Sequence, residues 1–450
     1  MGELIRIFRK SADRLKKYGL AMLGHRIGVG IVMVSFLLQT PVCYSTDRLN
    51  YEVSGHIKSR LSGQAFPRDS IFRDLSSANA WDFNNDLRVN FKAGTTGWKL
   101  ETDAQLIALH GDAVEYTREL ENKIPQFDVL FGRLPNDDRR WWDLTRIYED
   151  EDKTALLGRL DRLALSYTGK ATSFRFGRQA LSWGNGLFYS PMDIVNPFDP
   201  TQVDTEYKAG DDMLYGQYLQ DNGNDLEGSY VVRRDPATGE VESNQSTYAV
   251  KYHGFRGLAE YDLMFAQHYD EWMTGLGLSF DAAGAVWRSD LVLSDTDTDG
   301  VISQLVVNSS YSWIWAGRNV TGSAEYFFNG FGQNDGCYTE KCLAQSPELL
   351  ARVARGQLYN LGRHYLGAST TLEVTPLLTV TPNLFWNLSD GSALFQLVTQ
   401  NSLGDDLVLL GALAIPVGPD GTEYGGLESP EAGKTFSTGF QVFAQLAWYF

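Results

Sequence analysis

Residues 436–450 read FSTGFQVFAQLAWYF. Phe436, Thr438, Phe440, Val442, Ala444, Leu446, Trp448 and Phe450 fall on one face of a period-two pattern. Ser437, Gly439, Gln441, Phe443, Gln445, Ala447 and Tyr449 fall on the other. Alternation of this kind is the signature of a β-strand. The run is longer than the five or six residues typical of a strand in a soluble sandwich, and it suits a tilted strand that crosses a bilayer. In water such an apolar face would invite aggregation, whereas lipid satisfies it.

The same pattern recurs upstream. Leu49, Tyr51, Val53, Ile57 and Leu61 alternate with Asn50, Glu52, Ser54, His56, Lys58 and Arg60. Trp98, Leu100, Thr102, Ala104 and Leu106 alternate with Lys99, Glu101, Asp103 and Gln105. Long and short connections also alternate. Tight turns are expected at 94–97, 168–173, 221–225, 253–257, 281–284, 316–319 and 375–376. Long links are expected at about 64–80, 111–156, 184–211, 330–358 and 416–435, with intermediate ones at 235–244 and 294–300. The pattern predicts an all-β fold: a single antiparallel transmembrane β-barrel of about 18 strands (16–18), with both chain ends on the short-turn side. An even strand number with short turns at one rim and long loops at the other is the outer-membrane barrel pattern.

Composition agrees. Apolar residues make up 43% and mean hydropathy is -0.25, too low for a helical membrane protein. Aromatics reach 13% and there are 44 glycines, which suits strands with one lipid-facing side. The first 45 residues hold seven Lys/Arg against two Asp/Glu, so the remainder carries 32 basic and 54 acidic residues, a net charge of -22. That excess argues against nucleic acid as a partner, which needs a basic footprint.

Residues 1–45 read as a signal peptide. A basic segment ends at Arg26, and Ile27–Leu38 is an apolar run too short to span a bilayer comfortably. Small residues around Cys43-Tyr44-Ser45 place cleavage after Ser45, leaving 46–450 as the barrel. An uncleaved anchor is the alternative, and Thr-Pro-Val before Cys43 argues against lipidation there. Cys337 and Cys342 then remain, an even pair that in an exported chain suggests a disulfide.

Two stretches carry a resemblance. The terminal strand, ending on Phe450, resembles the C-terminal signal of bacterial outer-membrane proteins, which implies the barrel-assembly machinery as a partner during biogenesis. Phe174–Pro200, FRFGRQALSWGNGLFYSPMDIVNPFDP, resembles a porin-like outer-membrane family of proteobacteria. That family carries a Gly-Arg-Gln-x-x-x-Trp-Gly signature and an Asn-Pro-x-Asp element, matched by Gly177, Arg178, Gln179, Trp183, Gly184, Asn196, Pro197 and Asp199. Arg175–Gln179 is also similar to the Arg-x-Gly-Arg-Gln of alginate-export porins. The resemblance implies a Gram-negative outer-membrane porin.

Phe174 and Phe176 should face lipid, turning Arg175 and Gln179 to the lumen. A bulge at Gly177 would turn Arg178 inward as well. Arg159, Arg162, Arg175, Arg178 and Gln179, with Glu101, Asp103 and Asp161, are therefore expected at a constriction, either attracting anions or pairing to brace the wall. The apolar loop after Gly184 (Leu187, Phe188, Tyr189, Met192, Ile194, Val195, Phe198) needs cover and is expected to fold into the barrel mouth, Trp183, Gly184, Asn196, Pro197 and Asp199 with it. Asp295, Asp297 and Asp299 have calcium-loop spacing, but Val306 stands where the bidentate Glu belongs, so no metal is expected. A short helix capped by Ser346 is expected over SPELLARVARG. RRWWD (139–143) reads as a packed aromatic loop or a surface anchor.

No Gly-x-Ser-x-Gly, HExxH or P-loop motif is present, so an enzyme is not expected and no cofactor is implied. The sequence points to a passive channel for small hydrophilic or charged solutes, narrowed by an infolded loop. The alternative is a closed barrel that partners a periplasmic exporter or helps place lipid or polymer at the surface. A third reading is a barrel-rim hydrolase using His110. Outer-membrane lipid and a second copy of the chain complete the expected partners.

Overall fold

The computed structural model describes residues 49–123 and 134–450. The expected export signal and the middle of the expected 111–156 link lie outside the described residues. The strands are β1 (Asn50–Ala65), β2 (Asn79–Gly94), β3 (Trp98–Gly111), β4 (Thr145–Glu151), β5 (Thr154–Thr168), β6 (Thr172–Gln179), β7 (Asp211–Leu219), β8 (Asp225–Val231), β9 (Thr247–Arg256) and β10 (Ala259–His268). They continue as β11 (Glu271–Ala282), β12 (Ala285–Thr296), β13 (Gly300–Trp315), β14 (Arg318–Asn329), β15 (His364–Thr375), β16 (Leu378–Asn387), β17 (Ala393–Ser402), β18 (Leu407–Val417), β19 (Leu427–Glu428), β20 (Thr435–Phe436) and β21 (Gln441–Tyr449). Among the described residues four short helices lie in the long links: α1 (Ile71–Leu75), α2 (Asp112–Lys123), α3 (Glu340–Leu343) and α4 (Pro347–Ala354).

Nineteen strands form one antiparallel sheet. One of them, β4, pairs only with the first residues of β5, beyond the stretch that β6 covers. Among the described residues the other eighteen close into a barrel, with β21 bonded to both β18 and β1. Closure leaves none of these eighteen strands at an open edge, as a wall in lipid requires. The last residue takes part: Gly55 and Phe450 exchange both backbone hydrogen bonds at 2.9 and 3.0 Å. A Cβ on Gly55 would stand 2.7 Å from the Phe450 ring, so glycine is needed at that seam.

Polarity is inverted relative to a soluble protein. Leu61, Phe91, Trp98, Leu165, Phe174, Phe176, Leu214, Phe265, Leu413, Leu446 and Trp448 are exposed on the outer face. Arg88, Asp103, Asp161, Asp290 and Glu325 are buried on the inner side. An apolar outer band around a polar interior makes this a transmembrane barrel.

The expected turns at one rim are all present, and both described chain ends lie at that rim. Two connections on the opposite rim depart from the long-loop expectation, the five residues 388–392 between β16 and β17 and a shorter one. β10 and β11 are joined by Tyr269-Asp270 alone, with φ of 51° and 70°. Two successive left-handed residues make the two-residue hairpin turn whose twist matches its strands.

Candidate pore constriction

The link from 180 to 210 leaves β6 and enters the barrel. Gly184, at φ 98°, sits where a Cβ would stand 2.9 Å from Asp290 Oδ2. The wall then takes hold of the loop strand by strand. Trp183 Nε1 donates to Glu227 of β8 at 2.8 Å. Asn185 donates its backbone N–H and its side-chain amide to Asp290 of β12, at 2.6 and 2.7 Å. The N–H groups of Leu187, Phe188 and Tyr189 all donate to the Glu325 carboxylate of β14, at 2.6, 3.0 and 2.7 Å. Three successive amides on one carboxylate form an anion-binding nest, with the anion supplied by the wall.

Apolar contacts consolidate this first leg. Phe188 fills the space over Gly367 of β15 and meets Phe385 of β16 edge-on at 5.5 Å. Tyr189 stacks on Phe327 at 4.8 Å. Trp183, Met192, Ile194 and Val195 pack with Met213, Val231, Ala249, Met264, Met273 and Val292, which closes the lumen along β7–β12.

The second leg crosses to the other side. Gln396 of β17 donates to Thr201 O at 2.9 Å. Lys58 of β1 reaches Asp204 and Glu206 at 2.7 and 2.8 Å. Gln445 and Tyr449 at the terminal strand donate to the same two carboxylates, at 2.7 and 2.8 Å. The Arg88 guanidinium of β2 lies 4.2 Å from the Tyr207 ring centroid. Gly210 N–H donates to Asp161 of β5. Lys208 joins the legs by donating to both Asp193 oxygens at 2.5 and 2.6 Å. Burial pushes the Asp204 carboxyl up, but hydrogen bonds from Lys58 and Gln445 outweigh it and hold the group below the usual range. At the joining pair, burial pushes Asp193 up and Lys208 down, and their mutual contact opposes both.

Open space is left on one side of the loop. A cavity of about 350 Å³ lies between the second leg and the β1, β2, β3, β5 and β21 wall. Lys58, Arg60, Asp86, Gln105, Arg159 and Tyr207 are among its lining residues.

This fold has solved counterparts. OccAB4 from Acinetobacter baumannii matches with a TM-score of 0.51 at 9% identity, over 89% of this chain and 98% of that one. OccAB2 from the same organism matches with a TM-score of 0.50 at 11% identity, over 89% and 98%. A BenF-like porin from Pseudomonas fluorescens Pf-5 gives 0.49 at 10% identity, over 89% and 98%. At these identities the likeness is one of fold. No family model matches the sequence, and no curated protein matches it.

The residues singled out from sequence divide between lining and bracing. Arg159 lines the cavity, donating to Gln105 at 2.7 Å and standing 3.5 Å from Asp161. Asp161 is a hub. It is the extra residue where the β3–β5 register shifts, and it accepts from Arg88 and Arg162 at 2.7 Å each. Asp103 accepts from Arg88 at 3.1 Å. Arg162 also holds Lys208 O, behind the loop. Glu101 pairs with Lys99. Arg175 lies over the Tyr215 ring at 5.7 Å. Gln179 donates to main-chain oxygens of Arg175 and Met213.

Arg178 has a different setting from the one expected. β6 keeps its register through Gly177, whose φ is 121°, and the bulge lies on β5 instead. Arg178 pairs across the ladder with Asp212, which shares a face with the exposed Leu214. The residue is 1% exposed, and its guanidinium is enclosed by Asp137 at 3.0 Å, Asp212 at 2.9 Å and Trp142 O at 2.5 Å. The loop carrying RRWWD supplies this cover. Trp141 and Trp142 stack at 5.3 Å, and each meets Phe176 edge-on. A charge on the lipid side is thereby roofed and paired, as its desolvation demands. Burial pushes the Asp137 carboxyl up, but Arg178 and Arg140 hold it below the usual range.

In the loop itself, Asn196 takes φ 50°, Pro197 O accepts from Tyr359, and Asp199 caps the turn at Thr201. Sequence reasoning assigned no role to Lys58, Arg60, Asp86, Arg88, Glu227, Asp290 or Glu325. The signal was available for the first two, which sit on the polar face of β1. Lys58, Arg60, Asp290 and Glu325 have partners more than a hundred residues away.

Elsewhere, Cys337 and Cys342 are bonded, with Cα atoms 5.9 Å apart. α4 forms where a helix was expected, but Ser346 makes no side-chain cap; its Oγ accepts from Gln333. Asp295, Asp297 and Asp299 sit at an exposed turn fixed by Thr296 and by Thr298 donating to Glu348. Among the described residues no group of three His, Cys, Asp or Glu side chains could hold a metal ion. His110 Nδ1 meets Thr154 Oγ1 at 2.9 Å.

Proposed function

We propose that the protein is an outer-membrane channel for passive diffusion of small hydrophilic or charged solutes, with the 180–210 loop as its constriction. The observation that carries this reading is the cavity left between the clamped second leg and the β1–β5 wall. Apolar packing fills the opposite side, so solute would pass along this wall. Lys58 is committed to Asp204 and Glu206, and Arg88 to Asp103 and Asp161. Among the described residues Arg60 has only Gln445 and the Phe443 ring, and Arg159 stands at the edge of the Asp161 cluster. These two guanidiniums would replace water around an anionic group, while Asp86 would repel it.

In this reading residues 1–45 direct export and the short-turn rim faces the periplasm. The Gly177–Trp183 signature marks kinship with the porin-like family it resembles: it fixes the rim from which the loop departs. Reversal potentials in a salt gradient across a planar bilayer test the assignment. Replacing Arg60 and Arg159 with Gln together should shift the reversal potential toward cations, and Asp86→Asn should shift it toward anions. If neither shift occurs in conducting, folded protein, the current does not pass this wall.

A further inference from the structure

A second concave site lies outside the barrel, and we propose that it holds one acyl chain of a glycerophospholipid whose phosphate is met by Arg318. The groove occupies about 480 Å³ on the outer face at the short-turn rim. Trp313 and Trp315 form one bank and Leu397 the other; Thr370, Val380 and Pro382 lie between them. Its depth has a local cause. Pro382 has no N–H to give to a ladder, and the β15–β16 pairing skips Thr370, Thr371, Thr381 and Pro382. Leu372 pairs again with Val380 on the rim side of this gap. On the other bank Trp313 leans over Gly322, where a Cβ would meet its ring at 3.0 Å.

The polar end lies where a headgroup would sit. Trp315 and Arg318 are the last register pair before the β13–β14 turn, and Arg318 shares the outward face with Val320. Trp315 is 64% exposed, placed as an interfacial aromatic. Arg318 is exposed, and among the described residues no carboxylate lies within ion-pair distance of it. On the neighbouring strand Glu373 has the opposite strand parity to Leu372 and accepts from Asn319. From the rim to the level of Pro382 and Leu397 is about four residues, or roughly 13 Å along the strand. A cation at the rim, an aromatic beside it and an apolar trough running toward the midplane match a phosphate, the interface and a chain.

Native mass spectrometry of the full barrel, in mild detergent with added phosphatidylglycerol, tests the proposal. One lipid should survive activation that strips the others. Thr370→Trp, which fills the trough, should cut the retained fraction at least five-fold, and Arg318→Glu should cut it by a similar factor. Both variants must keep the heat-modifiable migration of a folded barrel; Leu276→Trp, on the outer face of β11, is the control and should retain lipid. Equal retention in all four proteins would overturn the site. Dimer or trimer masses that Thr370→Trp dissociates, with no lipid retained, would assign the groove to a second copy instead.

Discussion

At the scale of single residues, the constriction depends on wall carboxylates that accept from the loop backbone. Glu325 is the strongest case, with three consecutive N–H groups on one side chain and Asn308 as a fourth donor. Removing it would strand three enclosed donors, each costing about 1–3 kcal/mol if nothing replaces the acceptor. Glu325→Ala should therefore lower the thermal midpoint of the barrel and add flicker to its current. Glu325→Gln, which keeps one acceptor oxygen, should fall between that variant and wild type. An Ala variant as stable and as quiet as wild type would show that the loop does not depend on this contact. The sequence announces a polar inward position at 325 through its alternation with Ala324 and Tyr326. It says nothing of the partner, because Leu187 lies 138 residues away and only barrel closure brings the two together.

At the scale of elements, the strands were legible and the loops only in part. Period two, turn glycines and strand length specify the wall locally. The Tyr269-Asp270 turn escaped because neither residue is glycine, although both adopt positive φ. β4 and α2 escaped because their exposed charged faces blur the apolar period. The loops also carry a pH response. Glu423 lies in the β18–β19 link and accepts from Leu361 N–H, Tyr365 and Asn387. Burial pushes its carboxyl up to about 7, a rise those hydrogen bonds only partly oppose. That value is above the 4.5 of an exposed glutamate, so the docked loops bind the proton more tightly than loosened ones. Stabilisation is therefore full below about pH 4.5, is lost as pH rises toward 7, and is absent above, a difference of roughly 3 kcal/mol. Hydrogen exchange of 418–426 should quicken between pH 5 and pH 8 beyond the intrinsic rate change, and Glu423→Gln should remove that excess. An excess that persists in Glu423→Gln would place the titrating group elsewhere.

At the scale of the whole molecule, a closed wall and an infolded loop divide the lumen unequally. Hydrophobic packing of Trp183, Met192, Ile194 and Val195 takes one side; the charged wall from β21 through β5 keeps the cavity on the other. The inward fold of the loop was foreseeable, because seven apolar residues in an external link need cover. Which side it would fill was not, since that depends on Met213, Met264, Met273 and Val292 from four different strands meeting the loop. The terminal strand quoted at the outset closes the barrel through β1, and its inward Gln445 helps anchor the loop. The measurement that tests the account most directly is single-channel conductance in planar bilayers, comparing wild type with a heat-modifiable variant lacking Gly186–Asp199. The account predicts discrete wild-type openings and a larger unitary conductance in the deletion. A folded wild-type barrel that passes no current, or a deletion with unchanged conductance, would contradict it.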